Sequence, residues 1–288
     1  MNKTIAFIGA GNMAEALIRG LLETKAGHII ATDVRAERLE QLRCAYNIEI
    51  STDNAAAAAK ADIIVLAVKP QQMTNALGGL KSVVGRVPSR GGIIETRAAS
   101  GDAAYKKSSQ LIVSIAAGVT TARIERELGG EPRVVRSMPN TPALVGAGAT
   151  AVCKGRFATE ADLDTAETIL KAVGIVVRTD EQHLDAVTAL SGSGPAYIFY
   201  MAEAMIAAGI EAGLPADVAK RLAVQTVFGA GKLLAESGES PEQLRKKVTS
   251  PGGTTEAALK VKMERGFAKI VADAMHAAAR RSRELSGG

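Results

Sequence analysis

The first half of the chain alternates short apolar runs with stretches of helical spacing. "TIAFIGAG" (4–11) is an apolar run that ends in glycine, and residues 12–24 carry Met13, Leu17, Leu21 and Leu22 on one side. "HIIATD" (28–33) reads as a second strand, "AERLEQLRCAY" as a helix and "ADIIVLAVKP" (61–70) as a buried strand. Asn54 leads into "AAAAA" (55–59), a plain helix start because alanine is the best helix former. "QLIVSIAAG" (110–118) and "RVVRSMPNTP" (133–142) are further strand-then-loop units. Thr159 with Asp162 three residues later marks a helix start, and Leu163, Ile169, Leu170 and Val173 give that helix an apolar side. "IVVRTD" (175–180) closes the series as a last strand. Continuous apolar strands separated by helices predict an α/β doubly wound, mostly parallel sheet covered on both faces.

The pattern changes after about residue 182, where strand signals vanish. "PAYIFYMAEAMIAAGIEA" (195–212) is apolar or small nearly all round, so the helix must be buried on all sides. About a hundred residues cannot supply that burial alone, which implies a partner subunit. Pro215 suits the first turn of the next helix. Ser240, Pro241 and Gln243 read as cap, first position and capping-box partner, and Gly266 separates the last two helices. The expected division is a dinucleotide-binding Rossmann domain over 1–182 and an all-α domain for dimerisation and substrate binding over 183–288. One stretch, 85–109, is rich in Gly, Ser and Arg without a period and reads as a long exposed insertion.

Composition narrows the function classes. The 288 residues are 47% hydrophobic, with a formal net charge of +5. That balance suits a globular protein that attracts phosphates, and no basic stripe interleaved with aromatics points to nucleic acid. The two cysteines, Cys44 and Cys153, lack metal-ligand spacing and fit a reduced cytoplasmic setting. The N-terminal apolar run is too short for a signal peptide, and no uninterrupted run reaches a membrane span. The expectation is a cytoplasmic protein with no metal, no membrane and no nucleic-acid partner.

"FIGAGNMAEAL" is a G-x-G-x-x-A turn between strand and helix. Gly9 permits the tight turn, Gly11 lets the backbone approach a pyrophosphate, and Ala14 allows close helix–strand packing. Free N–H groups at the helix start would then meet the phosphates. Asp33, at the end of the second strand, suits the ribose hydroxyls of NADH, whereas Arg35 two residues on suits the 2′-phosphate of NADPH. The preference between NADPH and NADH stays open. The loops holding Lys69, Ala116, Ala117, Asn140 and Thr141 follow strands and should share the carboxyl edge of the sheet. Lys69 could meet phosphate or ribose, the two alanines admit a nicotinamide, and Asn140 with Thr141 could lie near its amide. His28, His183 and His276 are isolated, and no acid–base constellation surrounds them. "SPGGTT" (250–255) opens a helix; its N–H groups and the hydroxyls of Thr254 and Thr255 form a pocket for a small carboxylate.

"FIGAGNMAEALIRGLL", "LAVKPQQM", "SIAAGVT", "MPNTPALV", "LSGSGPAYIF" and "TSPGGTT" occur in this order, and together they closely resemble the Δ1-pyrroline-5-carboxylate reductase family over nearly the whole chain. The resemblance implies a Rossmann domain followed by interlocking helices that form a homodimer, with larger rings of dimers such as a decamer. It implies reduction of the cyclic imine Δ1-pyrroline-5-carboxylate to L-proline by hydride transfer from NADPH or NADH, the last step of proline synthesis. It assigns cofactor contacts to Gly9, Ala10, Gly11, Asn12, Met13, Asn54, Val68, Lys69 and Ala117. It places the substrate carboxylate on the turn from Gly252 and Gly253 to Thr254 and Thr255, and puts Glu181 at the border of the substrate pocket. Thr255 matches the family threonine at the ring nitrogen, where it orients the imine or relays its proton.

Three features depart from the family pattern: the 85–109 insertion, Lys246 in place of a common Asp, and "TDVRAE" after the second strand. Two other readings compete. The β-hydroxyacid dehydrogenases share the fold plan but carry a catalytic Lys on the first long helix after the Rossmann domain, which "GSGPAYIFYMAEAM" lacks. A non-catalytic NAD(P)-binding sensor would have no need of the "SPGGTT" pocket.

Overall fold

The computed structural model describes residues 3–84 and 110–286, and the 85–109 insertion lies outside the described residues. In chain order the elements are β1 (Thr4–Ile8), α1 (Asn12–Glu23), β2 (His28–Thr32), α2 (Ala36–Tyr46), β3 (Glu49–Ser51), α3 (Asn54–Lys60), β4 (Ile63–Leu66), α4 (Met73–Leu80), β5 (Leu111–Ser114), α5 (Thr121–Leu128), β6 (Arg133–Met138), β7 (Gly148–Lys154), α6 (Glu160–Leu170), β8 (Gly174–Arg178) and α7 (Leu184–Val187). Five helices follow among the described residues: α8 (Gly194–Glu211), α9 (Ala216–Glu236), α10 (Pro241–Lys247), α11 (Thr254–Glu264) and α12 (Phe267–Ser286).

The strands form one sheet in the order β3-β2-β1-β4-β5-β6-β7-β8. All neighbours are parallel except β6 and β7, which are antiparallel. The order reverses between β1 and β4, the point where open α/β sheets bind ligands at the carboxyl ends of their strands. Strand alternation divides the core between the two faces. Ile5, Phe7, Ile63 and Val65 join α1 and α6 on one face, while Ala6, Ile8, Ile64 and Leu66 join α3 and α4 on the other. This double burial explains why these strands carry no polar alternation. β3 and β7 are additions to the strands read from sequence. The Thr159–Asp162 capping box forms as expected, with its donors at 2.8 and 3.3 Å.

The chain divides into two compact units, Met1–Gly192 with Ala279–Gly288, and Ser193–Ala278. The first thus runs ten residues past the division expected at 182 and also takes the end of α12. Within it, Ser282 is buried and its hydroxyl donates to Asp185 Oδ1 at 2.6 Å, and Leu285 lies against Gly118. The basic end of α12 is therefore not wholly turned to solvent.

In the second unit α8 packs on α9, whose buried positions are Ala219 and Ala223. None of the residues of α8 itself is buried within the single chain, and Ile198, Phe199 and Tyr200 are each more than half exposed. Pro215 is the cap preceding α9 rather than a residue of its first turn. Ser240 and Gln243 form the expected capping box on α10. No helix among the described residues is long and apolar enough to cross a membrane.

Candidate functional site

A cleft of about 500 Å³ opens at the reversal point of the sheet, lined by Gly9, Gly11, Asp33, Arg35, Asn54, Val68 and Lys69, all named from sequence as cofactor residues. Val34, Ala67, Gln72, Asn75 and Ala76 complete the lining. The sequence does not mark these residues, although the last three need only one further helical turn beyond "LAVKP". Gly9 has φ +100°, and a Cβ there would stand 2.7 Å from the Ala67 carbonyl oxygen. Gly11 differs: a Cβ built on it meets nothing within 4 Å. The start of α1 has no side-chain cap, so its N–H groups are not covered by a protein hydroxyl or carboxylate. An open space at Gly11, an uncapped helix start and Lys69 at the rim fit the pyrophosphate of a dinucleotide. Asn54 Oδ1 accepts from the Thr32 hydroxyl at 2.6 Å, which fixes the amide and leaves Nδ2 as its donor toward the cleft.

Not every expected contact faces this space. Ala10 is fully buried; its N–H donates to Asp33 Oδ2 at 3.0 Å and its carbonyl accepts from Arg38 Nε at 2.8 Å. It can shape the turn but has no group left for a ligand. Asn12 and Met13 occupy the first turn of α1, exposed and half-buried. Ala116 is buried and Ala117 exposed in the loop after β5, and neither lines the cleft. Asn140 is buried and its side chain is committed in part within the fold, donating to Ser191 O at 3.0 Å and accepting from Ala149 N at 2.8 Å.

Asp33 and Arg35 do not act as separate charges. Arg35 grips the carboxylate through Nε at 2.9 Å and Nη2 at 3.1 Å, and its backbone N–H adds a third bond at 3.0 Å. Burial pulls the Asp33 carboxyl upward, but the Arg35 and Ala10 bonds outweigh it and hold it at about 2. A carboxyl lowered on folding contributes stability above its unfolded value near 3.9, and that stability is lost as pH falls toward the folded value. The melting temperature should therefore drop between about pH 4 and pH 2. Asp33→Asn should flatten this part of the profile, and an unchanged slope in calorimetry would show that Asp33 is not its source.

Glu181, expected beside the substrate, accepts from Thr121 N at 2.8 Å, Thr121 Oγ1 at 2.6 Å and Arg136 Nη1 at 2.9 Å. Burial raises its carboxyl, and the bonds from Thr121 and Arg136 bring it below the ordinary carboxylate value. The carboxylate joins the start of α5 to β6, with Arg136 almost completely buried. Nearby, burial pushes the Cys153 thiol up to about 12, which disfavours its thiolate form. No cluster of potential metal ligands occurs among the described residues.

The second unit holds the other candidate region. A cavity of about 840 Å³ is lined by Gly252 and Gly253 together with Arg245, Lys246, Thr249 and Glu256. Gly252 turns the chain at φ +71°, and α11 starts without a side-chain cap. Gly252 N–H donates to Glu256 Oε2 at 2.7 Å and Gly253 N–H to Ser250 O at 3.0 Å. Thr254 and Thr255 begin α11, and no hydrogen bond engages their N–H groups among the described residues. An anion at this helix start would thus meet Thr254 and Thr255 before the two glycines. Lys246, which replaces an acidic residue of the family pattern, pairs with Glu242 at 2.8 Å along α10.

Residues 181–285 match the family profile described as pyrroline-5-carboxylate reductase dimerisation. Residues 4–87 match the one described as NADP oxidoreductase, coenzyme F420-dependent. A pyrroline-5-carboxylate reductase of Pseudomonas aeruginosa is 42% identical over 98% of this chain and 96% of its own length. The structure of a pyrroline-5-carboxylate reductase from Coxiella burnetii superposes with a TM-score of 0.87 at 37% identity, covering 99% of both chains. That of the Plasmodium falciparum pyrroline carboxylate reductase with NADP bound gives 0.81 at 27% identity, covering 99% of this chain and 98% of that one. Full-length identity at this level, on a matching fold, means that the chain belongs to the pyrroline-5-carboxylate reductase family.

Proposed function

We propose that the chain reduces Δ1-pyrroline-5-carboxylate to L-proline with NAD(P)H, the first unit holding the cofactor and the second the substrate. The observation that carries this reading is 42% identity to a reductase over 98% of the chain, combined with a cleft at the reversal point of the sheet lined by Gly9, Gly11, Asp33 and Lys69. When bound, the reduced nicotinamide supplies the hydride that converts the protonated C=N bond to CH–NH. The chain's own part is binding and orientation. Gly9 and Gly11 shape the pyrophosphate space, with Asn12, Met13 and Lys69 around it. Asp33, Arg35 and Asn54 address the adenine ribose, while Val68, Ala116 and Ala117 border the nicotinamide end. The N–H groups of Thr254 and Thr255, on the turn built by Gly252 and Gly253, receive the substrate carboxylate. The Thr255 hydroxyl stands at the imine nitrogen, orienting it or relaying its proton. Glu181 acts through Thr121 and Arg136 by holding the entry to α5.

The chain works as a homodimer in this reading. The apolar residues of α8 that one chain leaves uncovered support it, as does the dimerisation profile over 181–285. Rings of such dimers, up to a decamer, enter through the family resemblance alone. Two free cysteines, one buried and one exposed, favour the cytoplasm as its setting.

The test is oxidation of NADPH and NADH by the purified protein, with and without the imine. Turnover that requires the imine supports the reductase; cofactor binding without turnover supports the sensor reading instead. The same assay reads the Asp33–Arg35 pair. A 2′-phosphate must draw Arg35 off Asp33, so Arg35→Ala should raise the KM for NADPH about tenfold, the loss of one strong charged contact. The KM for NADH should change less than about twofold by the same arithmetic. Equal changes for both cofactors would place the 2′-phosphate elsewhere.

A further inference from the structure

We infer that Arg38 is a positioning residue for the cofactor: from α2 it locks the peptide plane between Ala10 and Gly11 and so aims the Gly11 N–H. The inference rests on the cofactor reading of the cleft and adds to it a residue outside the lining.

The Gly9–Ala10–Gly11 turn has little to hold its shape from within. Two of its three residues are glycines, which are free to adopt many backbone conformations. Both peptide planes at Ala10 are instead fixed from the segment after β2. The Gly9–Ala10 plane is held by Ala10 N–H on Asp33 Oδ2 at 3.0 Å. The Ala10–Gly11 plane is held by Arg38 Nε on the Ala10 carbonyl at 2.8 Å. In a trans peptide the C=O and the following N–H point in opposite directions. Fixing the Ala10 oxygen toward Arg38 therefore turns the Gly11 N–H away from Arg38, and Gly11 borders the cleft. Release of the oxygen would let this plane rotate, and the ligand would have to reorder it on binding.

The guanidinium is itself held. Its Nη2 pairs with Glu15 Oε2, and the other oxygen of Glu15 accepts from the Tyr46 hydroxyl at 3.0 Å. Arg38 and Glu15 side chains are only 18% and 30% exposed, so solvent competes weakly for the pair. The same contacts occupy the one acidic side chain in the first turn of α1, which would otherwise oppose a phosphate at the helix start.

The test separates the bond to Ala10 from general support of α2. Glutamine carries its Nε2 donor at the atom position of arginine Nε, whereas methionine has similar length and no donor. Arg38→Gln and Arg38→Met are each made in a Glu15→Gln background, so that neither leaves an unpaired carboxylate. NADPH dissociation constants are measured by titration of the substrate-free protein, alongside its melting temperature. Both variants lack the ion pair, so their melting temperatures should differ by no more than the small effect of that one hydrogen bond. The methionine variant should bind NADPH about fivefold more weakly than the glutamine variant, the effect of one hydrogen bond. Equal affinities for the two overturn the inference and leave Arg38 as support for α2. If the methionine chain does not fold, the glutamine chain decides. Affinity within about threefold of the Glu15→Gln parent supports the donor role, and a loss of about tenfold or more overturns it. If the Glu15→Gln parent and the wild type both fail to bind NADPH or NADH, the cofactor reading itself falls, a result distinct from equal affinities.

Discussion

Gly11→Ala is expected to leave the ligand-free protein within about 1 kcal/mol of wild type yet raise its NADPH dissociation constant by at least about tenfold. The Cβ would meet no protein atom within 4 Å, so the fold has no reason to object. It would instead fill the space assigned to the pyrophosphate, where only bare backbone permits close approach. Gly9→Ala is the contrasting case. Its Cβ would stand 2.7 Å from the Ala67 carbonyl oxygen at a backbone φ of +100°. The φ alone costs roughly 1–3 kcal/mol, and the clash with backbone adds to it. That variant should lose both stability and cofactor binding. Thermal melts with and without NADPH read both quantities at once, because a ligand that binds only the folded state raises the melting temperature. Wild-type affinity in Gly11→Ala would show that the pyrophosphate lies elsewhere.

Thr255→Ala should lower kcat by roughly a hundredfold, the lower range for loss of a group that assists proton transfer. Thr255 sits in the first turn of α11, and its hydroxyl makes no hydrogen bond among the described residues. Its removal therefore has little structural consequence, and NADPH affinity should stay within about twofold. Thr255→Ser keeps the hydroxyl and should recover most of the activity. Steady-state kinetics with both variants decides the matter: full turnover in Thr255→Ala would remove the hydroxyl from the reaction.

The parts legible in the sequence are those whose cause is local. Gly9 announces a turn because its backbone, at φ +100°, suits no other residue, and Gly11 announces a close approach because its Cβ position is open. Thr159 with Asp162, and Ser240 with Gln243, announce helix starts because cap and partner lie three residues apart. β7 left no such sign. "GATAVCK" is small and mixed, and it becomes a strand because β6 and β8 lie on either side of it. Three-residue β3 is likewise a product of its pairing with β2. Within the candidate site, Asn140 and Glu181 carried plausible ligand chemistry. Their partners, Ser191 and Ala149 for one and Thr121 and Arg136 for the other, lie between 9 and 60 residues away. No local spacing reveals that these polar groups are already engaged. Arg38 was hidden for the same reason: on α2 it reads as an ordinary charged face, and its carbonyl partner lies 28 residues earlier.

The return of α12 to the first unit has a bearing on the order of events during synthesis. The strands of the sheet leave the ribosome first and can begin to pair while translation continues. Ser282, the partner of Asp185, and Leu285, the neighbour of Gly118, are added only after every residue of Ser193–Ala278 has been made. The first unit therefore cannot be complete before the second has been synthesised. A nascent chain stalled within α9 or α11 would present not a finished cofactor half with a missing tail, but a sheet still lacking the segment that covers the loop at Gly118.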